Sequence, residues 1–490
     1  DGSLFSGSGE ASNRQVTGVV VGGTAEEPVL YISSSDPRIA SNGEKNLDTN
    51  SGVITKVTWD ATAEEWSAVD ILRGLPRSEE NHAVNGMVLA DDGETLYLTV
   101  GGNTNNGAPS SFFSYTGEYA LSGTVLEIDL AAIEAMEVKT DADGGQGGTP
   151  RNYVYDLPTL DDPNIANDGV REDANGNDVD GPWGGNDGLN MAILPADAPL
   201  RIFADGFRNA FDLAMDDQGR LYTVDNGSNG SLGGNPNTEN PDDDGDGVEG
   251  EALNTPNNGG DGDPEPLYLI EEGGYYGHPA PIRANQNQSW TVYNDNGAPD
   301  EEVGVNFVED ISELVPEGVL IADGFIIDPS KYAALDGLDP GVAEELDQIN
   351  ALLKERGERV AADSAESANI VTVGSSTNGI LVYNSNGQAF DGALDGKIFV
   401  TQFNDNVTLL NLDDDGTGLT PVLEAGEDGV FGTADDVIQD GGGDGILEVA
   451  NNSLGVPLAN PLDVTQGPNG TLWVAEIGGN EITVLAPSDS

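Results

Sequence analysis

Two histidines occur in 490 residues, His82 and His278. Histidine is the side chain whose ordinary pKa lies near neutrality, so each is a candidate to take or give a proton. A second candidate is Gly206-Phe207-Arg208-Asn209, a Gly-x-Arg-Asn loop that leads into an apolar segment. A guanidinium can hold an anion by a bidentate fork while a neighbouring amide fixes its orientation. Neither signal is specific alone. Arg-Asn is a common dipeptide, and an isolated histidine more often only hydrogen-bonds a neighbouring strand.

Oxygen-rich loops form a third group. Asp242, Asp244 and Asp246 alternate in Asp242-Asp243-Asp244-Gly245-Asp246-Gly247, with Gly at the sixth position. That is the first half of an EF-hand-like calcium loop, although Leu253 stands where the closing Glu would be. Asp173, Asn175 and Asn177 repeat the alternation, and Asp435 and Asp436 lie in a further acidic cluster. Calcium takes about six to eight oxygens, which Asp, Asn and backbone carbonyls provide. Zinc or copper would want His or Cys, and the chain has no cysteine. These loops predict at least one structural calcium; the alternative is solvated acidic loops in a salt-adapted protein.

Short strands must position these groups. A signature recurs at Val29–Ile32, Thr95–Val100, Arg220–Val224, Lys397–Val400 and Thr471–Val474. Four copies follow a turn ending in glycine: Gly93, Gly219, Gly396 and Gly470. Glycine there permits the positive φ of a tight hairpin. A second apolar strand follows most copies, as at Gly123–Ile128 and Glu481–Leu485. Many short strands with turn punctuation predict an all-β fold, and the recurring two-strand unit points to propeller blades, with a sandwich as the alternative. One helix is predicted over 339–357. Asp339 can cap it, Pro340 suits its first position, and Val342, Leu346, Ile349 and Leu353 share one face. It reads as an insertion (339–362) packed on the propeller. The segments 141–188, 225–264 and 411–446 read as long acidic loops within one domain, 1–490.

Composition sets the outer limits. There are 87 acidic against 18 basic residues, a formal charge of −69. Such a surface repels nucleic acid and anionic membranes. It calls for high salt or many bound cations, since self-repulsion otherwise destabilises the compact state. Disorder is the competing reading of so much charge, but 37% of residues are apolar and strand-like runs recur. No apolar run is long enough to span a membrane as a helix. The start at Asp1 reads as a processed or excised chain, and the whole reads as secreted or cell-surface protein.

Around these residues the chain resembles the soluble quinoprotein glucose/sorbosone dehydrogenase family, in a divergent branch of secreted bacterial proteins. The matching segments are Tyr31–Arg38 with Asn46–Gly52, Leu75–Arg77 with Glu80–Met87, Gly184–Asn190, Gly206–Gly227 and Gly273–Pro279. The resemblance implies a six-bladed β-propeller that binds calcium and pyrroloquinoline quinone (PQQ) and oxidises a sugar at C1. It places His82 as the base, Arg208 and Asn209 on the quinone, and the carbonyls of Gly227 and Ser228 on its calcium. It also implies an incomplete first blade, because the match begins near residue 17 and only about sixteen residues precede it; a second chain could then complete the blade by strand addition. The pattern departs from the family elsewhere. The anchoring lysine falls near Asn404, and two arginines expected before Asp463 are replaced by Asn460-Pro461-Leu462. Arg283 could compensate in part. The alternative to an enzyme is therefore a non-catalytic, calcium-stabilised extracellular protein used for adhesion, assembly or glycan binding.

Overall fold

The computed structural model describes residues 14–37, 49–78, 80–106, 111–113, 118–119, 121–141, 151–157, 171–172, 178–180, 192, 194, 198–230, 232, 265–278, 369–374, 376–386, 389–403, 406–424, 437–438, 443–448 and 458–486. The predicted helix 339–357, Arg283, Asn404 and the acidic residues Asp173, Asn175, Asn177, Asp242, Asp244, Asp246, Asp435 and Asp436 lie outside them. The chain separates into two compact units. Unit 1 comprises 1–209, 228–262 and 272–366; unit 2 comprises 210–227, 263–271 and 367–490.

In unit 1 the strands are β1 (Gln15–Gly23), β2 (Pro28–Ser35), β3 (Gly52–Asp60), β4 (Glu65–Leu75), β5 (Val84–Leu89), β6 (Thr95–Val100), β7 (Thr124–Asp129), β8 (Lys139–Asp141), β9 (Arg151–Asp156), β10 (Arg171–Glu172), β11 (Asp178–Asp180) and β12 (Leu200–Asp205). The first sheet runs β1-β2-β3-β4-β9-β8 and the second β12-β7-β6-β5, while β10 and β11 form a ribbon. One core joins the two large sheets, with Ile54, Leu72, Val84, Leu98, Leu126 and Ile202 buried in it. Burial of such side chains is worth roughly 1.5–3 kcal/mol each, which supplies most of the drive to fold. A short helix, α1 (Leu130–Glu134), follows β7 and is capped by the Asp129 side chain on Ala132 N.

In unit 2 the strands are β13 (Ala210–Met215), β14 (Leu221–Asp225), β15 (Pro266–Ile270), β16 (Asn369–Thr372), β17 (Thr377–Val382), β18 (Ile398–Gln402), β19 (Asn406–Leu410), β20 (Leu423–Glu424), β21 (Val437–Ile438), β22 (Ile446–Glu448), β23 (Pro461–Gln466), β24 (Leu472–Glu476) and β25 (Glu481–Leu485). They build the sheets β13-β14-β15-β16, β17-β18-β19-β22 and β23-β24-β25, with β20 and β21 as a ribbon. Tyr222, Val224, Leu267, Ile398 and Val400 pack between the first two of these sheets.

The large sheets are blades in a β-propeller arrangement. Two expectations are corrected. Among the described residues there are five blades and not six, matching the five recurring signatures. The signature strands β2, β6, β14, β18 and β24 each stand second in a different sheet. Each signature strand thus marks one blade, and the count of six came from the resemblance, not from the repeats. The first blade is also not incomplete, because β1 to β4 form a full antiparallel meander. The short sheet is the last. Among the described residues β25 is its edge, with Ile482 and Val484 exposed.

Candidate functional site

Every residue of the site lies in unit 1. His82 sits between β4 and β5 and is 2% exposed. Its main chain is held on both sides: His82 N donates to Ser78 Oγ at 3.1 Å, and its carbonyl accepts from Ser78 N at 3.0 Å and Arg77 Nη1 at 3.1 Å. The imidazole lies 5.3 Å from the Phe113 ring. Its Nδ1 is 2.7 Å from Gly102 O. A carbonyl can only accept, so Nδ1 carries the proton and Nε2 presents a lone pair. Burial, then the charge of Arg208, holds the His82 pKa well below its ordinary value. The ring is therefore neutral at physiological pH.

Gly102 belongs to the loop that leaves β6, Gly101-Gly102-Asn103-Thr104-Asn105. Its two glycines are dictated by crowding. A Cβ on Gly101 would lie 2.5 Å from Asn209 Oδ1 and 2.7 Å from His82 Cβ, and one on Gly102 would lie 2.9 Å from Arg208 O. The far end of the loop holds Arg208. Arg208 Nε donates to Asn105 O at 3.1 Å and Nη2 to Asn105 Oδ1 at 3.0 Å. Asn105 Oδ1 also accepts from Asn229 N at 2.9 Å, and Asn105 Nδ2 donates to Asn229 O at 2.9 Å. Asn85 Nδ2 donates to Asn209 Oδ1 at 3.0 Å. One short loop thus links the His82 ring to the Arg208 guanidinium. Arg208 and Asn209 are both buried.

The Arg208 segment has its own supports. Gly206 adopts φ +84°, and a Cβ there would meet Tyr276 N at 2.6 Å. Phe207 stacks on Tyr276 with centroids 4.6 Å apart. His278 N donates to Gly206 O at 2.7 Å. His278 does not face a ligand as a free base: its Nε2 is 2.8 Å from Glu118 Oε1. Burial alone would raise the Glu118 pKa, but His278, Ser122 and Thr104 outweigh it and bring it down to about 2.

His82, Arg208 and Asn209 are all joined to the 101–105 loop, while His278 contacts Glu118. Ser228 is buried in unit 1 just before Asn229, and Gly227 follows β14 in unit 2. Among the described residues no group of three or more His, Cys, Asp or Glu could hold a metal. Glu118, Asn85 and Asn105 were not legible as site residues. The run Gly101–Asn106, two glycines followed by four small polar residues, was the available signal.

Nε and Nη2 of Arg208 are engaged by Asn105. Nε of the nearby Arg77 donates to Asp36 O, and its Nη1 to the carbonyls of Ser78, Glu80 and His82. Asn103 is fully buried, and neither polar atom of its amide has a partner among the described residues. A group in that state fits a site that closes over a hydrogen-bonding guest.

Compared by sequence, the chain matches no family model and no curated protein. Among solved structures it is similar to a calcium structure of a Trichoderma reesei carbohydrate-active enzyme of family AA12, at 10% identity and TM-score 0.40 over 96% of this chain and 80% of that one. The PQQ domain of Coprinopsis cinerea pyranose dehydrogenase gives 9% and 0.40 over 95% and 80%. The PQQ-bound aldose sugar dehydrogenase of Streptomyces coelicolor gives 13% and 0.33 over 98% of each chain. Scores of this size leave the propeller assignment resting on the strand pairing itself.

Proposed function

We propose that the chain is a secreted, calcium-binding sugar dehydrogenase of the PQQ-dependent type, in which His82 takes the proton from a sugar hydroxyl. The state of His82 carries this reading. The ring is buried and neutral, its Nδ1–H is committed to Gly102 O, and its Nε2 lone pair is left for a proton. An imidazole so prepared acts as a base without first losing a proton. The Arg208 charge disfavours the imidazolium, so the proton would be passed on and not retained. Arg208 and Asn209 would meet the quinone, and the carbonyls of Gly227 and Ser228 its calcium. When bound, the quinone would supply the hydride acceptor. Its three carboxylates would find one guanidinium among the described residues of the site, which predicts weak cofactor binding.

That shortage of cations favours a second reading, a non-catalytic, calcium-stabilised extracellular protein that binds glycans or assembles with other chains. Dye reduction by the purified protein with PQQ, calcium and a panel of aldoses separates the two. His82→Ala should abolish turnover and spare cofactor binding, whereas Arg208→Ala should mainly weaken binding. No turnover in the parent chain with any aldose would remove the enzyme reading.

A further inference from the structure

The Glu118 carboxylate is buried and has no place in the chemistry proposed above. It accepts from Asn103 N at 3.0 Å and Thr104 N at 2.9 Å, from the hydroxyls of Thr104 and Ser122, and from His278 Nε2 at 2.8 Å. The two backbone amides it grips lie between Gly102, whose carbonyl fixes His82, and Asn105, which fixes Arg208. His278, its hydrogen-bond partner, holds Gly206 O through its own backbone amide, and Gly102 N donates to Arg208 O at 2.7 Å. The carboxylate therefore sits at the middle of the loop, with the two site contacts at its ends. A Cβ on Gly102 would lie 3.0 Å from Glu118 Oε1 and 3.3 Å from His278 Nε2, so loop and ion pair are in contact.

We infer that Glu118 and His278 are a positioning pair, which through the 101–105 loop sets the tautomer of His82 and the aim of Arg208. The inference rests on the reading of His82 as a base, and it assigns the pair no contact with substrate. Burying a carboxylate costs desolvation and is weak evidence for stability alone. Here it fixes a geometry that loop propensity would not. Five backbone and side-chain donors on one carboxylate leave it little freedom to move.

The test uses the full chain with 15N-labelled histidine. Two histidines give two ring spin systems, and His82→Ala assigns them. The charged groups facing His82 are Arg208, Glu118 and His278, with Arg77 from its own loop. The parent His82 should be protonated at Nδ1 and bare at Nε2 across neutral pH. In Glu118→Gln the His82 ring should become a mixture of tautomers, and its midpoint should rise by about half a unit or more toward the ordinary value near 6.5. His278→Gln should also mix the tautomers; there the tautomer is the readout, because removing His278 would itself raise the midpoint. A folded Glu118→Gln with an unchanged tautomer overturns the proposal. So does a midpoint that falls further, because that is what loss of the Glu118 charge alone would give. If Glu118→Gln does not fold, the tautomer in His278→Gln decides, and loss of fold in both overturns the positioning role in favour of a purely structural one. The spectra need neither substrate nor cofactor, so an absence of dehydrogenase activity leaves this test intact.

Discussion

Glu118 in unit 1 and Asp212 in unit 2 are carboxyl groups in similarly crowded surroundings, yet they are driven in opposite directions. Glu118 faces His278 and a ring of donors, and is held at about 2. Asp212, on β13, accepts from Leu213 N at 2.8 Å and Ile380 N at 3.2 Å, but faces Asp463 on β23. Burial and then the Asp463 charge push the Asp212 pKa well above its ordinary value, and burial raises Asp463 as well. Among the described residues neither has a cationic partner. Asp463 is exposed by its accessible surface, so water softens the penalty. Crowding sets the size of a carboxyl's response, and the group standing opposite sets its sign. In a chain of formal charge −69, a carboxylate that keeps its charge in the interior does so because a cation and donors were built around it.

The largest effect is expected from removing the Glu118 carboxylate. Glu118→Gln leaves buried donors, two of them backbone amides, short of a charged acceptor and should cost about 3 kcal/mol in denaturant unfolding near neutral pH. The Glu118 pKa is lowered by folding, so its stabilisation is present above the ordinary value of 4.5 and is lost as pH falls toward 2. The parent should therefore lose more stability across that window than the variant. A cost below about 1 kcal/mol would erase the contrast with Asp212.

Calcium tests whether charge elsewhere matters more than either cluster. The acidic loops carry oxygen ligands and few apolar residues. Chelation at fixed ionic strength should remove about 2.7 kcal/mol if free calcium stood a hundredfold above its Kd. An unchanged melting curve would remove calcium from the account of the fold.

Two glycines sharpen the comparison sterically. Gly102→Ala would press on Arg208 O and Glu118, and Gly379→Ala would place a Cβ 2.5 Å from Asp463 Cα and 2.7 Å from Asp463 Oδ1. Each should cost about 1–3 kcal/mol, by thermal or denaturant unfolding. Only Gly102→Ala should also disturb the His82 ring signals. Equal His82 spectra in both variants would uncouple the loop from the ring.

The smallest effect has the opposite sign. Asp212→Asn mimics the protonated acid and should stabilise the protein by about 1 kcal/mol at pH 7. The raised folded pKa means that the parent is best off below pH 3.8 and loses stability as pH rises through the folded value. The advantage of the variant should therefore vanish near pH 4. A variant less stable than the parent at pH 7 would show that the carboxylate is needed in its charged form.

Much of the scaffold was legible in residue order. The five strand signatures became the second strands of five sheets, and Gly93, Gly219, Gly396 and Gly470 adopt φ of +70°, +78°, +78° and +72° at the turns assigned to them. Those features depend on side-chain alternation and on the freedom of one residue, which are properties of a few neighbouring positions. His82 and the Arg208-Asn209 pair could be singled out by residue type, because few side chains hold a proton near neutrality or fork around an anion. What they touch could not. Gly102 meets His82 across 20 residues, Asn105 meets Arg208 across 103, and Glu118 meets His278 across 160. In the sequence Glu118 and Asp212 are two of 87 acidic residues. Only the packing of strands places a histidine opposite one and a carboxylate opposite the other. The energy of a buried charge depends on distances across the fold, and no local pattern encodes them.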